Sequence, residues 1–238
     1  DEEQPSQLVH VQYNQADRND NFMPTIEAIR TVFGFPLLLN LLDVEVDSDG
    51  VSHPRAFVVE PDYLMDVTAV AECFQPEGTN PWPHLLKKFL PKPPNKYLMI
   101  GNIANFFLDE LMHDPELSFR EAFRRTFRNN PLQYCLFDNN EIREIMQKSQ
   151  KHFINLKRMV KEGFAEQDIQ PEACYLEPSF YSETYGLQGR LDLLHMGEEK
   201  AGIVELKSGS PYRPNIYGLS NNHFTQTLLY DLLVRSAF

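Results

Sequence analysis

Cysteine, tryptophan, long apolar runs and positive charge are all scarce in this sequence. Its three cysteines, Cys73, Cys135 and Cys174, are scattered and form no C-x-x-C pair, so neither a disulfide framework nor a self-contained zinc site is indicated. No apolar run approaches the roughly 18 residues of a membrane-spanning helix, and no charged-then-apolar signal peptide opens the chain. A soluble, cytoplasmic protein without a membrane partner is expected. No G-x-x-x-x-G-K-[ST] loop occurs, so ATP hydrolysis is not expected of these residues. The chain opens on Asp1 rather than Met and stops inside an apolar helical pattern, as an excised domain of a longer protein would.

The lack of positive charge is uneven. Net charge is −12 over 238 residues, which argues against nucleic acid as a partner until the charges are divided by segment. Residues 1–83 hold 3 basic and 15 acidic residues, whereas residues 84–161 hold 14 basic and 8 acidic. DNA contact depends on local positive surface rather than on total charge, so the basic middle is compatible with DNA binding. An ordinary solvated helix face is the alternative for that segment. The acidic N-terminal lobe keeps open a protein-interaction domain without DNA affinity.

At 238 residues the chain is one large domain or one domain with an appendage. Residues 1–75 read as a β-rich lobe with one helical stretch, PTIEAIRTVFG, and a turn at Asp47, Ser48, Asp49 and Gly50. Residues 76–95 fall in a proline-rich run that breaks any long element and reads as a bridge. Residues 96–238 form the main body. Three helical patterns open it: KYLMIGNIANFFLDELM, LSFREAFRRTF with Ser118 and Glu121 spaced as a capping box, and EIREIMQKSQKHFINLKRMVKEGF.

Chemistry concentrates between Glu177 and Tyr230. Two apolar-rich runs, YGLQGRLDLLHM and AGIVELKSG, flank Gly197, Glu198, Glu199 and Lys200, a polar break of hairpin-turn length. If the turn is centred between Glu198 and Glu199, Asp192 falls opposite Glu205 and Arg190 opposite Lys207. Residues two apart on a strand share a face, so Glu205 and Lys207 project alongside Asp192. Two carboxylates suit Mg2+ or Mn2+, which prefer hard oxygen ligands, with the Leu206 carbonyl as a further ligand. Lys207 can then orient or deprotonate a water and stabilise charge on a phosphate. A solvated cross-strand ion cluster is the alternative. In the following segment Gln226 and Tyr230 lie four apart, on one helix face.

GRLD, VELKSG after a short spacer, and QTLLY together resemble the motif series of RecB-family nucleases of the PD-(D/E)xK superfamily, most closely the nuclease domain of the Okazaki-flap helicase-nuclease. The resemblance covers residues 177–235 well and 55–238 thinly. It implies metal binding by Asp192 and Glu205, catalysis by Lys207 at the attacking water, and DNA contact by Gln226 and Tyr230, with Arg190 beside them. In the first helix the family carries a metal-site His four residues after a Gly. Here that position is Asn105, either a weaker metal ligand or an ordinary polar residue. Glu177 matches an acidic position of the family and is the weaker site candidate, equally readable as a surface strand residue. Cys73 lies near the place of the first ligand of an iron–sulfur cluster. Such clusters need four thiolates, and the family's other three lie beyond QxxxY, so a cluster is expected only in the full-length protein and a structural cysteine is preferred here.

The expectation is therefore an α/β, restriction-endonuclease-like mixed sheet flanked by helices, with an N-terminal β-rich lobe. By resemblance it is a divalent-metal-dependent deoxyribonuclease acting on single-stranded ends or flaps, with a helicase domain in the same full-length chain, in DNA replication or repair. A degenerate nuclease fold that binds and guides DNA is the alternative that Asn105 raises.

Overall fold

A computed structural model describes residues 7–13, 23–34, 36–76, 78–91, 93–198, 200–209, 213, 216 and 218–238. In chain order the elements are α1 (Met23–Phe33), β1 (Leu39–Leu42), β2 (Glu45–Val46), β3 (Ser52–His53), β4 (Ala56–Val59), β5 (Met65–Asp66), α2 (Val67–Ala71), β6 (Phe74–Gln75), β7 (Gly78–Thr79) and α3 (Trp82–Phe89). They continue with α4 (Lys96–His113), α5 (Phe119–Asn129), α6 (Pro131–Tyr134), α7 (Asn139–Arg158), α8 (Phe164–Glu166), β8 (Cys174–Leu176), β9 (Ser179–Ser182), β10 (Leu187–Arg190), β11 (Leu193–Met196), β12 (Ala201–Val204) and α9 (Asn221–Ala237). This is the expected mixed α/β class. No described helix is long and apolar enough to cross a membrane.

The chain divides into two compact units. One comprises Asp1–Asp66, Tyr181–Gln188 and Leu233–Phe238, the other Val67–Phe180 and Gly189–Leu232. In the first, β1 and β4 pair antiparallel with Leu39 opposite Val59. The expected turn forms between β2 and β3, where the Asp47 carboxylate accepts from the N–H groups of Asp49 and Val51 and Gly50 takes a φ of 78°. The β9–β10 turn is fastened by the Asn40 amide, which donates to the carbonyls of Glu183 and Thr184 at 2.9 and 3.1 Å. β10 lies between β9 and β5, parallel to β5 with Leu187 opposite Met65.

The second unit is built on α4 and α7. Met99, Ile100, Ile103, Ala104, Phe107, Leu108 and Leu111 lie on one side of α4, at the three- and four-residue intervals that stack side chains on one helix face. They meet Ile145, Phe153 and Leu156 of α7 and Leu193 of β11. Phe107 and Phe153 contact edge to face at 5.2 Å, the arrangement that aromatic quadrupoles favour. Asn95 caps α4 by accepting from the N–H groups of Tyr97 and Leu98. At α5 the expected capping box forms only by half. Ser118 accepts from the Glu121 N–H, but the Glu121 carboxylate pairs with Arg124 and Arg125 instead. The full reciprocal box stands at Asp138 and Glu141, ahead of α7. The third helical pattern continues past Arg158 through a π-helical turn, Met159–Gly163, into α8.

Candidate functional site

The β11–β12 hairpin sets the site. Leu193 pairs with Val204, Leu194 with Ile203, His195 with Gly202 and Met196 with Ala201. The Gly197 N–H donates to the Lys200 carbonyl at 3.0 Å across the turn; Glu199 lies outside the described residues. Extending that register by one residue puts Asp192 opposite Glu205 just beyond the regular strands. A hydrogen bond fastens this open end, since the Leu206 N–H donates to Asp192 Oδ2 at 2.7 Å.

Arg190 is placed differently from the sequence expectation. The run YGLQGRLDLLHM is two strands broken at Leu191 and Asp192, not one. β10, which carries Arg190, belongs to the sheet of β5 and β9, and β11 to that of β12 and β8. Arg190 therefore does not pair with Lys207; its guanidinium reaches Glu177 Oε2 at 3.2 Å. The break comes from Glu177, held at a positive φ of 47°, whose N–H donates to the Asp192 carbonyl while the Leu191 N–H donates to Pro178. These bonds take the backbone groups that a continuous strand would have used.

Lys207 is held from two sides. Its ammonium donates to Glu205 Oε1 at 2.7 Å and to Gln226 Oε1 at 2.8 Å. An ammonium only donates, so the Gln226 oxygen must face it and the amide NH2 must point the other way. There it meets Thr68 Oγ1 at 3.3 Å and Tyr230 Oη at 3.2 Å, and the Tyr230 hydroxyl donates to the Arg190 carbonyl at 2.9 Å. The sequence expectation put Gln226 and Tyr230 at the DNA. Gln226 and Tyr230 do share a face of α9, but that face is turned inward, with the two residues 6% and 3% exposed. As placed, they support Lys207 and the β10 backbone and are not open to DNA. Gly189 of GRLD permits the packing, since a Cβ there would lie 2.8 Å from the Tyr230 ring.

Asn105 is also placed otherwise than as a simple ligand. From α4 its amide nitrogen donates to Asp192 Oδ1 at 2.7 Å. With Leu206 on the other oxygen, the Asp192 carboxylate is gripped by two donors, each leaving a lone pair free. Sequence reasoning missed Asp109, one helical turn beyond Asn105. Burial first, then the Glu177 charge, raises its carboxyl to about 6, with the Asp192 charge acting in the same sense. The four-residue spacing from Asn105 was the signal that could have found it. Thr68 was missed with no such signal.

The donor set fits a divalent cation. Glu205 has a side chain only 15% exposed, and its Oε2 is buried with no hydrogen-bond partner. Burial raises its carboxyl above the usual range; the Lys207 ammonium opposes this and the Asp192 charge adds to it. A buried carboxylate oxygen without a partner, next to a second carboxylate, is a strong claim on a cation. Two carboxylates, Asp192 and Glu205, are the kind of donor set Mg2+ takes, since it keeps several waters and one or two carboxylates. Cys73 is half-buried, with its thiol against the Ala69 carbonyl.

The model of the PD-(D/E)XK nuclease superfamily matches residues 102–238, a span that includes Asn105, Asp192, Glu205, Lys207, Gln226 and Tyr230. No curated protein sequence matches the chain. Because the family match runs over more than half of the 238 residues, the chain belongs to the PD-(D/E)XK nuclease superfamily, whose members are typically nucleases.

Proposed function

We propose that this domain hydrolyses phosphodiester bonds of DNA, with Asp192 and Glu205 holding a divalent cation and Lys207 acting at the attacking water. The observation that carries the reading is the buried, unpartnered Glu205 Oε2 beside an ammonium fixed from two sides. A bound Mg2+ or Mn2+ would supply Lewis-acid stabilisation of charge on the phosphate. Asp192, clamped by Asn105 and Leu206, presents its remaining lone pairs in a set orientation, and the Leu206 carbonyl is the further candidate ligand. Lys207 has three N–H donors. Two go to Glu205 and Gln226, so the third is left to align the attacking water. Gln226 and Tyr230 keep the ammonium in place, which removes reorganisation at the moment of reaction.

Single-stranded ends or flaps as substrate, and a helicase domain in the same full-length chain serving replication or repair, rest on the resemblance of GRLD, VELKSG and QTLLY. Arg190, exposed beside Glu177, is the DNA-contact candidate that keeps an accessible side chain. The degenerate-fold reading is favoured by one observation: Asn105 spends its amide on Asp192 where the family carries a metal-site His. Labelled single-stranded DNA incubated with magnesium, manganese or EDTA decides between them. Cleavage with either metal and none in EDTA supports the nuclease. DNA binding without cleavage in either metal supports the guiding role.

A further inference from the structure

Lysines are not equally available along this chain. Several basic side chains of α4, α5, α7 and the π-helical turn after it are neutralised by carboxylates: Lys96 and Lys148 by Glu144, Arg124 and Arg125 by Glu121, Arg125 also by Glu110, and Lys161 by Glu116. Between Glu77 and Asp109 the sequence has no carboxylate and, besides the paired Lys96, three further lysines. The helix α3 stands inside that stretch, and it presents an unusual surface.

Trp82, Leu85, Leu86 and Phe89 follow intervals of three and four, which stack on one helix face. All four are exposed, Trp82 by 68% and Phe89 by 86%. His84 lies on the opposite side of the helix and ties it down, its Nδ1 meeting Glu72 Oε2 at 3.2 Å. The apolar face is thus the outward one, and Lys88, exposed and without an ion-pair partner among the described residues, flanks it. An exposed apolar face of this kind marks an interaction site. Its location connects it to the chemistry. Glu72 follows Thr68 by one helical turn, and Thr68 bonds Gln226, the residue that holds Lys207.

We propose that α3 is a stacking platform for single-stranded DNA, on which unpaired bases lie against Trp82 and Phe89 while Lys88 neutralises the backbone. The proposal rests on the nuclease reading of the neighbouring site and specifies how its substrate is held. Charge complementarity selects the occupant, since a polyanion is the partner that an acid-free, lysine-bearing segment of a chain with net charge −12 is suited to receive. Unpaired bases complete the match because each has a π-face that an exposed aromatic ring can cover. Seven residues of helix separate Trp82 from Phe89, roughly 10 Å along the axis, enough to engage more than one base.

Trp82 is the sole tryptophan, so its fluorescence reports this helix alone. The full chain, in EDTA to prevent cleavage, is titrated with a single-stranded thymidine oligonucleotide while anisotropy of a label on the DNA reports total binding. Saturable quenching that tracks the anisotropy, and that weakens with salt, is the expected result. Phe89→Ala should weaken binding by about 5- to 100-fold, the range of one lost base stack. Lys88→Glu, which leaves both rings in place, should weaken it as well and lower the salt dependence. DNA binding with unchanged Trp82 fluorescence overturns the proposal, as does equal quenching by blunt duplex. A blue shift and rise with anionic lipid vesicles, where the oligonucleotide has no effect, assigns the face to a lipid surface and overturns it too. If quenching fails while metal-dependent cleavage persists, only the platform falls; quenching without cleavage in magnesium or manganese removes the catalytic reading and leaves the platform.

Discussion

The two ends of the β11–β12 hairpin are both acidic, yet they differ in kind. At the turn end, Asp168, Glu172, Glu198 and Lys200 rim a hollow of about 700 Å³ with His195 and Gln170 at its base. Its charges are solvated, with Lys200 and Asp168 60% and 73% exposed and 3.5 Å apart, and its buried His195 is satisfied by the Gln170 side chain at 2.8 Å. At the open end, Asp192 and Glu205 are fewer but more constrained. One has both oxygens gripped, and the other has a buried oxygen with nothing to bond. The number of carboxylates does not mark a cation site; burial with an unmet acceptor does.

The largest expected effect separates the ends catalytically. Lys207→Ala should lower cleavage by about 100-fold or more, the scale of one lost preorganised electrostatic donor, with DNA affinity nearly unchanged. Lys200→Ala at the turn end should cleave as the parent does. Equal rates for Lys207→Ala and the parent would remove the open end as the reacting centre.

Metal binding sharpens the same contrast. Manganese at about 100 times its Kd should raise the parent Tm by about 5–10 °C, and Glu205→Gln should erase that rise. Glu198→Gln should keep it. In EDTA, Glu205→Gln should melt above the parent, because an amide there carries no buried charge.

A smaller effect tests how Lys207 is held. Gln226→Leu should lower kcat by about 10-fold, the lower bound for losing a hydrogen bond to a charged group, and leave KM unchanged. Gln226→Glu restores an acceptor and should recover part of the rate, with the basic limb of the pH profile moved upward by the added negative charge. A rise in KM without a fall in kcat would instead put Gln226 on the DNA.

The smallest effect concerns Asp109. Its carboxyl is raised to about 6 from 3.8, so the fold disfavours its charged form and stability falls as pH rises through that interval. Asp109→Asn should therefore melt about 1–3 °C above the parent at pH 7.5 in EDTA, a small gain because the group is only half-buried. The difference should close as pH drops below 3.8.

Local spacing was enough to read much of this molecule. The hairpin register follows from a four-residue polar break between apolar runs, since turn length dictates which residues face each other. The three long helices followed from apolar periodicity, and α1 from a short helical run. Other features could not be read locally. Proline density hid α3, although Pro81 and Pro83 sit at its start, where a missing N–H costs nothing. The break between β10 and β11 was invisible because YGLQGRLDLLHM alternates much as one strand would.

The residue types at the site, their register across the hairpin and the pairing of Gln226 with Tyr230 on one helix face were all determined by sequence spacing, because helix and strand periods are properties of the backbone. Which way that helix face points, which carboxylate oxygen lacks a partner, and that Asn105 grips Asp192 were decided only by tertiary packing. Those outcomes depend on contacts between residues as far apart in the chain as Thr68 and Gln226, or Asn105 and Asp192, and no local period carries information over such distances.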